Sequence, residues 1–421
     1  MNRITKAALA LIVLLCADIF NMSNACTSVI ISGKITEDGR PIMWKNRDAG
    51  GGQNMMMYFS KNDVKGGKYA FVGVVAPNTT KPASVWGGTN EKGFCIMNTM
   101  SYNVNIKGTE GKKTSSGNGL IQKEALAKCA DMAEFEEYLK KLPQPTGLTT
   151  NLGVIDAKGN CAYFECHNWG YKKYDVNEAP EGFIARSNFS ISTKDASEGK
   201  GQIRFMEAER QVRHAIADKT VNVDFVLNNL ARSFSNPFLG VDLKSGNFNK
   251  PKTNGWYADE DFITRYTSLS SMIFQGVKEG EKPELTTMWT IIGYPAATVC
   301  MPVWVKGGKD GVPALLAPDA TKHSQMSANA NKLLNTKVYT FDKDTSEANH
   351  KKYFNWEALS NLQGNGIMQK CLKKEAEILP PYKAALEGWR KAGKVNAKEI
   401  VELNKVADAE IAAFYKEEFG L

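Results

Sequence analysis

Cys26 is the residue in this 421-residue chain whose surroundings point most directly to chemistry. It follows the small residues Ser23-Asn24-Ala25 and, before them, the apolar run "AALALIVLLCADIF". Arg3 and Lys6 precede that run, so residues 1–25 contain the charged, apolar and small-residue parts of an export signal peptide. Cleavage after this segment would make Cys26 the first residue of the mature chain.

A cysteine at a free N-terminus carries a nucleophile and a base in one residue. The α-amine has a reference pKa of about 7.7–8.0, so a sizeable fraction is neutral near pH 7–8. It can accept the thiol proton directly or through a water molecule, and such a site needs no catalytic histidine. The alternative is a bacterial lipoprotein that is lipidated at Cys26. Ser23 and Asn24 fit a lipidation signal poorly, but the position alone leaves both interpretations open.

The remaining composition excludes several kinds of site. Seven cysteines follow the predicted signal peptide, an odd number with irregular spacing, and no pair of Cys-x-x-Cys motifs is present. We therefore expect neither a disulfide framework nor a structural zinc site, and a Cys161–Cys166 bridge is not expected. The net charge is +8, but acidic and basic residues are interleaved, which gives no nucleic-acid-binding arm. No later apolar stretch approaches the ~20 residues of a membrane span.

Short strands and a few helices must position Cys26. "CTSVIIS" and "PIMWKN" are joined by "TEDGRP", which predicts a hairpin with a tight turn. Helical periodicity covers 117–141, 201–217 and 222–233, and 286–305 is typical of two buried strands. Strands, then helices, then strands again favour an α+β fold over a doubly wound sheet. We expect one domain over 26–340, with amphipathic helices over 341–421 as an extension that packs on it or forms a homo-oligomer interface.

Several motifs together resemble one enzyme family. "CTSVIISGKITEDGRPIMWKNRD" is similar to the opening of the N-terminal-nucleophile (Ntn) cysteine hydrolases, which include choloylglycine (bile salt) hydrolases, penicillin V acylases and isopenicillin-N acyltransferase-like proteins. "TNEKGFCIMNTMS", "GFIARSNFS" and "GYPAATVCMPVWV" resemble later strands of that family. The resemblance covers about residues 26–310. It implies a four-layer αββα sandwich and no metal or organic cofactor.

The resemblance also implies roles for individual residues. Cys26 would be the nucleophile, and Asp48 would accept a hydrogen bond from its α-amine. Asn98 and Asn188 would donate N–H groups to the thiolate or to the oxyanion of the tetrahedral intermediate. The alternatives are a turn cap for Asp48 and an ordinary turn residue for Asn188.

The chain departs from the family in its cations. Bile salt hydrolases and related dipeptidases have arginine before Asn-x-Asp, whereas this chain has Lys45 there and Arg47 one residue after the asparagine. Both are candidates to supply a positive field at the sulfur, although a guanidinium and an ammonium are not equivalent. Arg204 is a candidate for a later family arginine, with an exposed helical arginine as the alternative.

The segment Met55, Met56, Met57, Tyr58 and Phe59 would suit an adaptable apolar acyl site, as the corresponding loop does in the family. The alternative is a buried strand in which the methionines fill space.

The resemblance implies an exported hydrolase, periplasmic or extracellular, that cleaves linear non-peptide C–N amide bonds through an acyl-thioester. Its partner would be a small amide with a hydrophobic acyl group, such as a bile-salt conjugate, an N-acyl amino acid, a fatty amide or a penicillin V-type compound. An acyltransferase or a dipeptidase of the same superfamily, and the surface lipoprotein binding module, are the alternatives.

Overall fold

The computed structural model describes residues 25–50, 53–76, 84–104, 117–193, 198–245, 255–259, 261–340 and 353–421. The predicted signal peptide lies outside these residues, apart from Ala25. The described part of the chain contains both helices and antiparallel sheets, as expected for an α+β fold.

A six-stranded antiparallel sheet contains Cys26 at the start of its first strand. With strands numbered in chain order, its spatial order is β10-β1-β2-β14-β15-β16. The strands are β1 (Cys26–Ile31), β2 (Ile42–Asp48), β10 (Phe183–Arg186), β14 (Ser268–Gln275), β15 (Thr287–Ile292) and β16 (Met301–Val303).

A seven-stranded antiparallel sheet follows simple chain order from β3 to β9. Its strands are β3 (Met55–Phe59), β4 (Phe71–Val75), β5 (Gly87–Asn90), β6 (Cys95–Met100), β7 (Thr150–Ile155), β8 (Cys161–His167) and β9 (Gly170–Asp175). Two short ribbons pair β11 (Ser235–Asn236) with β12 (Val241–Asp242), and β13 (Trp256–Ala258) with β17 (Tyr353–Asn355).

Helices occur between and after the strands. They are α1 (Asn118–Lys128), α2 (Met132–Lys140), α3 (Gln202–Asp218), α4 (Val223–Phe225), α5 (Gln325–Leu333), α6 (Trp356–Leu359), α7 (Ile367–Ala392) and α8 (Ala397–Phe419). π-Helical turns over Val226–Leu230 and Leu334–Val338 continue α4 and α5. No helix among the described residues has the length and apolar character needed to cross a membrane.

The single helix predicted over 117–141 is wrong in one respect, because the structure breaks it between Lys128 and Met132. The Asp131 side chain accepts a hydrogen bond from the Glu134 backbone N–H at 2.9 Å. This N-cap satisfies a donor that a new helix leaves free, so α2 starts here rather than continuing α1.

The β1–β2 hairpin is confirmed, with Cys26 opposite Arg47 and Ser28 opposite Lys45. Every residue of both strands is buried, including the polar run from Lys45 to Asp48. Side chains directly opposite each other on neighbouring strands point to the same face of a sheet. Cys26, Lys45 and Arg47 therefore share one face, and Asp48 points to the other.

The two large sheets face each other across a shared hydrophobic cluster, in which Ile30 of β1 and Met97 of β6 both pack close to Gly153 of β7. The Ser28 and Tyr163 hydroxyl oxygens lie 2.8 Å apart, which links β1 to β8 directly. A second cluster covers the outer side of the seven-stranded sheet with residues of α1 and α2. The Cys26 side of the six-stranded sheet thus packs against the seven-stranded sheet.

The C-terminal helices join the same hydrophobic cluster as the sheets. Arg232 and Glu375 of α7 form a buried ion pair with an N–O distance of 2.6 Å. Tyr415 of α8 donates from its hydroxyl group to the Ala297 carbonyl oxygen at 2.6 Å. Glu375 also accepts from the Cys300 backbone N–H at 2.7 Å, so α7 and α8 both contact the segment between β15 and β16.

Candidate active site

Cys26 lies where β1 begins, with 5% of its surface exposed. Its backbone N–H donates to the Asn188 side-chain oxygen at 2.8 Å. Its sulfur lies 3.9 Å from the Asp48 carbonyl oxygen, which is a long contact. The structure thus places the nitrogen that cleavage would convert to an α-amine on a defined side-chain acceptor.

Asn188 and Arg204 contact each other and the residues next to the Cys26 nitrogen. Arg204 donates to the Asn188 side-chain oxygen at 3.0 Å, to the Cys26 carbonyl oxygen at 2.9 Å and to the Thr27 hydroxyl oxygen at 2.7 Å. Asn188 donates from its amide nitrogen to the Met100 carbonyl oxygen at 2.8 Å. In this structure the asparagine therefore accepts from Cys26 rather than donating to its sulfur, and the oxyanion role stays a prediction.

Arg204 is 1% exposed, so the alternative of an exposed helical arginine is wrong. Burial, together with the nearby Arg265 charge, lowers the pKa of Arg204 to about 10. Gly201, which precedes α3, makes room for the guanidinium. A Cβ at Gly201 would lie 2.2 Å from the Arg204 Nη2 atom, and the glycine φ is +86°. Both features require glycine at this position.

Lys45 lies on the same sheet face as Cys26 and is 1% exposed. Its ammonium group donates to the Trp86 carbonyl oxygen and to the Asn98 side-chain oxygen, each at 3.0 Å. Burial lowers the pKa of Lys45 to about 8, and the nearby Cys26 charge partly opposes this effect. Lys45 is therefore a buried cation that titrates close to the range in which an α-amine would titrate.

Asn98 makes three side-chain hydrogen bonds to protein groups. Its oxygen accepts from Lys45 and from the Gln122 amide at 3.0 Å, and its nitrogen donates to the Thr150 hydroxyl oxygen at 3.1 Å. The structure thus brings Asn98 to the site through Lys45. Its predicted donation to an oxyanion stays a prediction.

Arg47 is directly opposite Cys26 and is 7% exposed. It donates to the Asn54 side-chain oxygen at 3.1 Å, and its guanidinium carbon lies 4.8 Å from the centre of the Trp86 ring. Burial lowers the pKa of Arg47 to about 10, while the charges of Cys26 and Asp48 oppose the decrease. Both candidate cations, Lys45 and Arg47, are consequently within electrostatic reach of Cys26.

Asp48 is buried on the opposite sheet face. Its carboxylate accepts from the Ser268 hydroxyl group at 2.7 Å and from the Arg265 Nε atom at 2.9 Å. Burial alone would lower the pKa of Arg265, but the charge and hydrogen bond of Asp48, together with the charges of Asp259 and Asp261, raise this pKa above its ordinary value. The predicted hydrogen bond from the Cys26 amine to this carboxylate stays a prediction, because Asn188 accepts from that nitrogen here.

Arg265 and Ser268 were missed by the sequence reasoning. They lie 217 and 220 residues from Asp48 along the chain. The strand β14, which begins at Ser268, pairs directly with β2. No local motif marks these two residues, and only the pairing of β14 with β2 would have identified them.

The five predicted acyl-site residues form strand β3. Met56 belongs to the cluster between the sheets, whereas Met55 and Phe59 belong to the cluster beneath α1 and α2. Met57 and Tyr58 are partly buried. The buried-strand alternative therefore describes most of this segment, and a role in acyl binding stays a prediction.

The other six cysteines are buried and free, so the Cys161–Cys166 bridge is absent, as expected. Burial raises the pKa of every one of these thiols, to about 12 for Cys95 and Cys371. A thiol is reactive as its thiolate, so these six should react slowly near neutral pH.

No protein-family model matches the chain, and no curated protein matches it by sequence. Comparison of structures finds a conjugated bile acid hydrolase from Clostridium perfringens, with 13% identity and a TM-score of 0.42 over 66% of this chain and 92% of that one. It also finds the Caenorhabditis elegans ortholog of N-acylethanolamine-hydrolyzing acid amidase, with 13% identity and a TM-score of 0.41 over 61% and 93% of the two chains. Penicillin V acylase from Agrobacterium tumefaciens has 14% identity and a TM-score of 0.39 over 66% and 85%.

Proposed function

We propose that this protein is an exported amidohydrolase of the Ntn cysteine hydrolase superfamily. It cleaves linear, non-peptide C–N amide bonds whose acyl group is apolar. Residues 26–340 form an αββα sandwich, and residues 341–421 form a helical extension of the same domain. The two facing sheets, α1 and α2 outside one and α3 outside the other, support this layer order.

The reaction begins after removal of residues 1–25. The Cys26 sulfur attacks the amide carbonyl carbon while the α-amine takes the thiol proton. The tetrahedral intermediate then collapses, the C–N bond breaks, and the ammonium returns a proton to the leaving amine. Water attacks the thioester with the α-amine as base, which releases the acid and regenerates the thiol.

One observation supports this proposal most strongly. The nitrogen of Cys26, which becomes the base, donates to Asn188 at 2.8 Å at the buried start of a central strand. A lipid-bearing cysteine would need its sulfur in contact with a membrane. The 5% exposure of Cys26 therefore favours the nucleophile over the lipoprotein alternative.

The test is a brief iodoacetamide pulse at neutral pH on protein from an exporting host, followed by peptide mass mapping. We expect a peptide that begins at Cys26 and is alkylated well before the other six thiols, which serve as internal controls. Amide hydrolysis should disappear in step with this alkylation. A lipid-modified Cys26, or a chain still joined through Ala25, would refute the proposal.

A further inference from the structure

Arg47 is a buried cation for which the described residues supply no counter-ion. Among them, no carboxylate lies within ion-pair distance of its guanidinium group. The buried Arg40, Arg186 and Arg232 do have carboxylate partners, whereas the buried Arg204 donates to neutral groups. Charged groups are rarely buried without a partner, because desolvation is costly. A ligand would supply the partner that the described residues do not.

Polar atoms near Arg47 are also unsatisfied. Asn54, which accepts from Arg47, is fully buried, and its amide nitrogen has no hydrogen-bond partner. The Trp86 indole, which stacks on Arg47, has a buried and unpartnered Nε1 donor. An unsatisfied buried donor costs about 1–3 kcal/mol. Two such donors beside one unpaired cation indicate a place for an acceptor with negative charge.

The charges around Cys26 also indicate a place for a negatively charged acceptor. Lys45 and Arg47 lie on the nucleophile's side of the sheet, and among the described residues neither has an ion pair with a carboxylate. Asp48, the acid nearest in sequence, is engaged by Arg265 and Ser268 on the opposite face. The Cys26 thiolate can balance only one of the two cations. A positive charge therefore remains for the substrate.

We propose that Arg47, Asn54 and Trp86 form a subsite that binds a carboxylate of the substrate, adjacent to the scissile amide. The inference rests on the proposed function and narrows its substrates to amides such as N-acyl amino acids, rather than neutral fatty amides. A carboxylate is an acceptor-only group that matches a guanidinium fork and two N–H donors. Arg47 is opposite Cys26, and an α-carboxylate is only three covalent bonds from the scissile carbonyl carbon.

Unpartnered acceptors are present in the same part of the structure. The side-chain oxygens of Gln53, Asn118 and Gln122 are buried without partners. Gln122 donates to Asn98, which also contacts Lys45, so this acceptor lies near the site. An amide substrate offers an N–H donor as well as its carboxylate acceptor, so it can satisfy both these unpartnered acceptors and the unpartnered donors beside Arg47.

The test compares N-decanoylglycine with N-decanoylethanolamine, which have the same acyl group but differ in charge. The readout is the ratio of their kcat/KM values, because any general loss of catalysis cancels in it. A charge-assisted hydrogen bond contributes about 1.5–3 kcal/mol, so we expect the wild-type ratio to favour the glycine amide about 10–100-fold. Arg47→Gln should bring the ratio close to one, Arg47→Lys should restore part of it, and the exposed control Arg213→Gln should leave it unchanged.

The subsite would be overturned if the wild-type ratio of the two kcat/KM values is near one and Arg47→Gln does not change it. Hydrolysis of the two amides would still support the proposed function in that case. If Arg47→Gln does not fold, Trp86→Phe replaces it, since it removes one donor and keeps the ring. We expect it to lower the ratio about 3–10-fold, and an unchanged ratio would overturn the subsite.

If neither amide is hydrolysed, the proposed function fails and binding decides the subsite separately. N-decanoylglycine is then titrated calorimetrically into Cys26→Ala and into Cys26→Ala/Arg47→Gln. Binding at least tenfold weaker in the double variant supports the subsite, and equal binding or no binding to either variant overturns it.

Discussion

Replacing Lys45 with arginine should move the alkaline limit of activity. Burial lowers the pKa of Lys45 to about 8, so most of its charge is lost between pH 8 and 10. Each pH unit above the pKa lowers the charged fraction about tenfold, to roughly 10% at pH 9 and 1% at pH 10. Arginine stays charged over this range.

The expected wild-type profile of kcat/KM against pH is therefore a narrow bell. Its acid limb reflects the α-amine, which must be neutral to act as a base and has a reference pKa of about 7.7–8.0. Its alkaline limb reflects Lys45, with kcat/KM roughly 100-fold below the maximum by pH 10. In Lys45→Arg, whose guanidinium stays charged, this alkaline limb should be absent up to about pH 10.

The assay is the initial rate of amide hydrolysis from pH 6 to 11 for wild type, Lys45→Arg and the exposed control Lys34→Arg. An alkaline limb at the same pH in all three proteins would refute the assignment to Lys45. The same shift affects stability with a defined sign. The folded pKa of about 8 lies below the unfolded value of 10.5, so the unfolded chain binds more protons between these values. The wild-type free energy of unfolding should rise by up to about 3 kcal/mol from pH 8 to 10.5, relative to Lys45→Arg.

Substitutions test three further contacts, two at the candidate site and one that attaches a C-terminal helix. Asn188→Ala should lower kcat/KM for amide hydrolysis about 10²-fold or more, since general base catalysis typically contributes about 10²–10⁴-fold and the Cys26 nitrogen loses the acceptor that orients it. A loss below threefold would contradict this role. Arg232→Met should lower the free energy of unfolding, measured with urea, by about 3–5 kcal/mol, because it leaves the Glu375 charge buried without a partner. The double variant Arg232→Met/Glu375→Met should lose less of this free energy. An equal or larger loss in the double variant would contradict a buried ion pair. Arg265→Gln should leave the Asp48 charge uncompensated and move the acid limb of the pH–rate profile to higher pH, and an unmoved limb would contradict the coupling.

Local features of the sequence predicted the first hairpin because they are sufficient to specify it. A turn rich in Asp and Gly between two apolar runs sets the β1–β2 register, and that register places Arg47 opposite Cys26. Alternation along β2 then separated Lys45 and Arg47 from Asp48, as the structure has them. The α-helical periodicity likewise located α3, although not the burial of Arg204 within it.

The sequence patterns did not predict the contacts between segments that lie far apart in the chain. Arg265 reaches Asp48 only because β14 inserts beside β2, and Trp86 reaches Arg47 only because the two sheets face each other. The β3 strand shows the same limit. Its methionines predicted an apolar site, but strand alternation distributes them between two separate cores.

The cations beside Cys26 favour the neutral α-amine that the proposed mechanism needs as a base. Nearby positive charges disfavour the ammonium form of an adjacent amine, which then remains available to take a proton. A free carboxylate beside the amine would have the opposite effect. Arg265 and Ser268 already engage the Asp48 carboxylate, while Asn188, a neutral acceptor, holds the Cys26 nitrogen. A neutral acceptor stabilises an ammonium less than a carboxylate does, so in the proposed mechanism the contact with Asn188 and the Asp48–Arg265 ion pair would together favour the neutral amine.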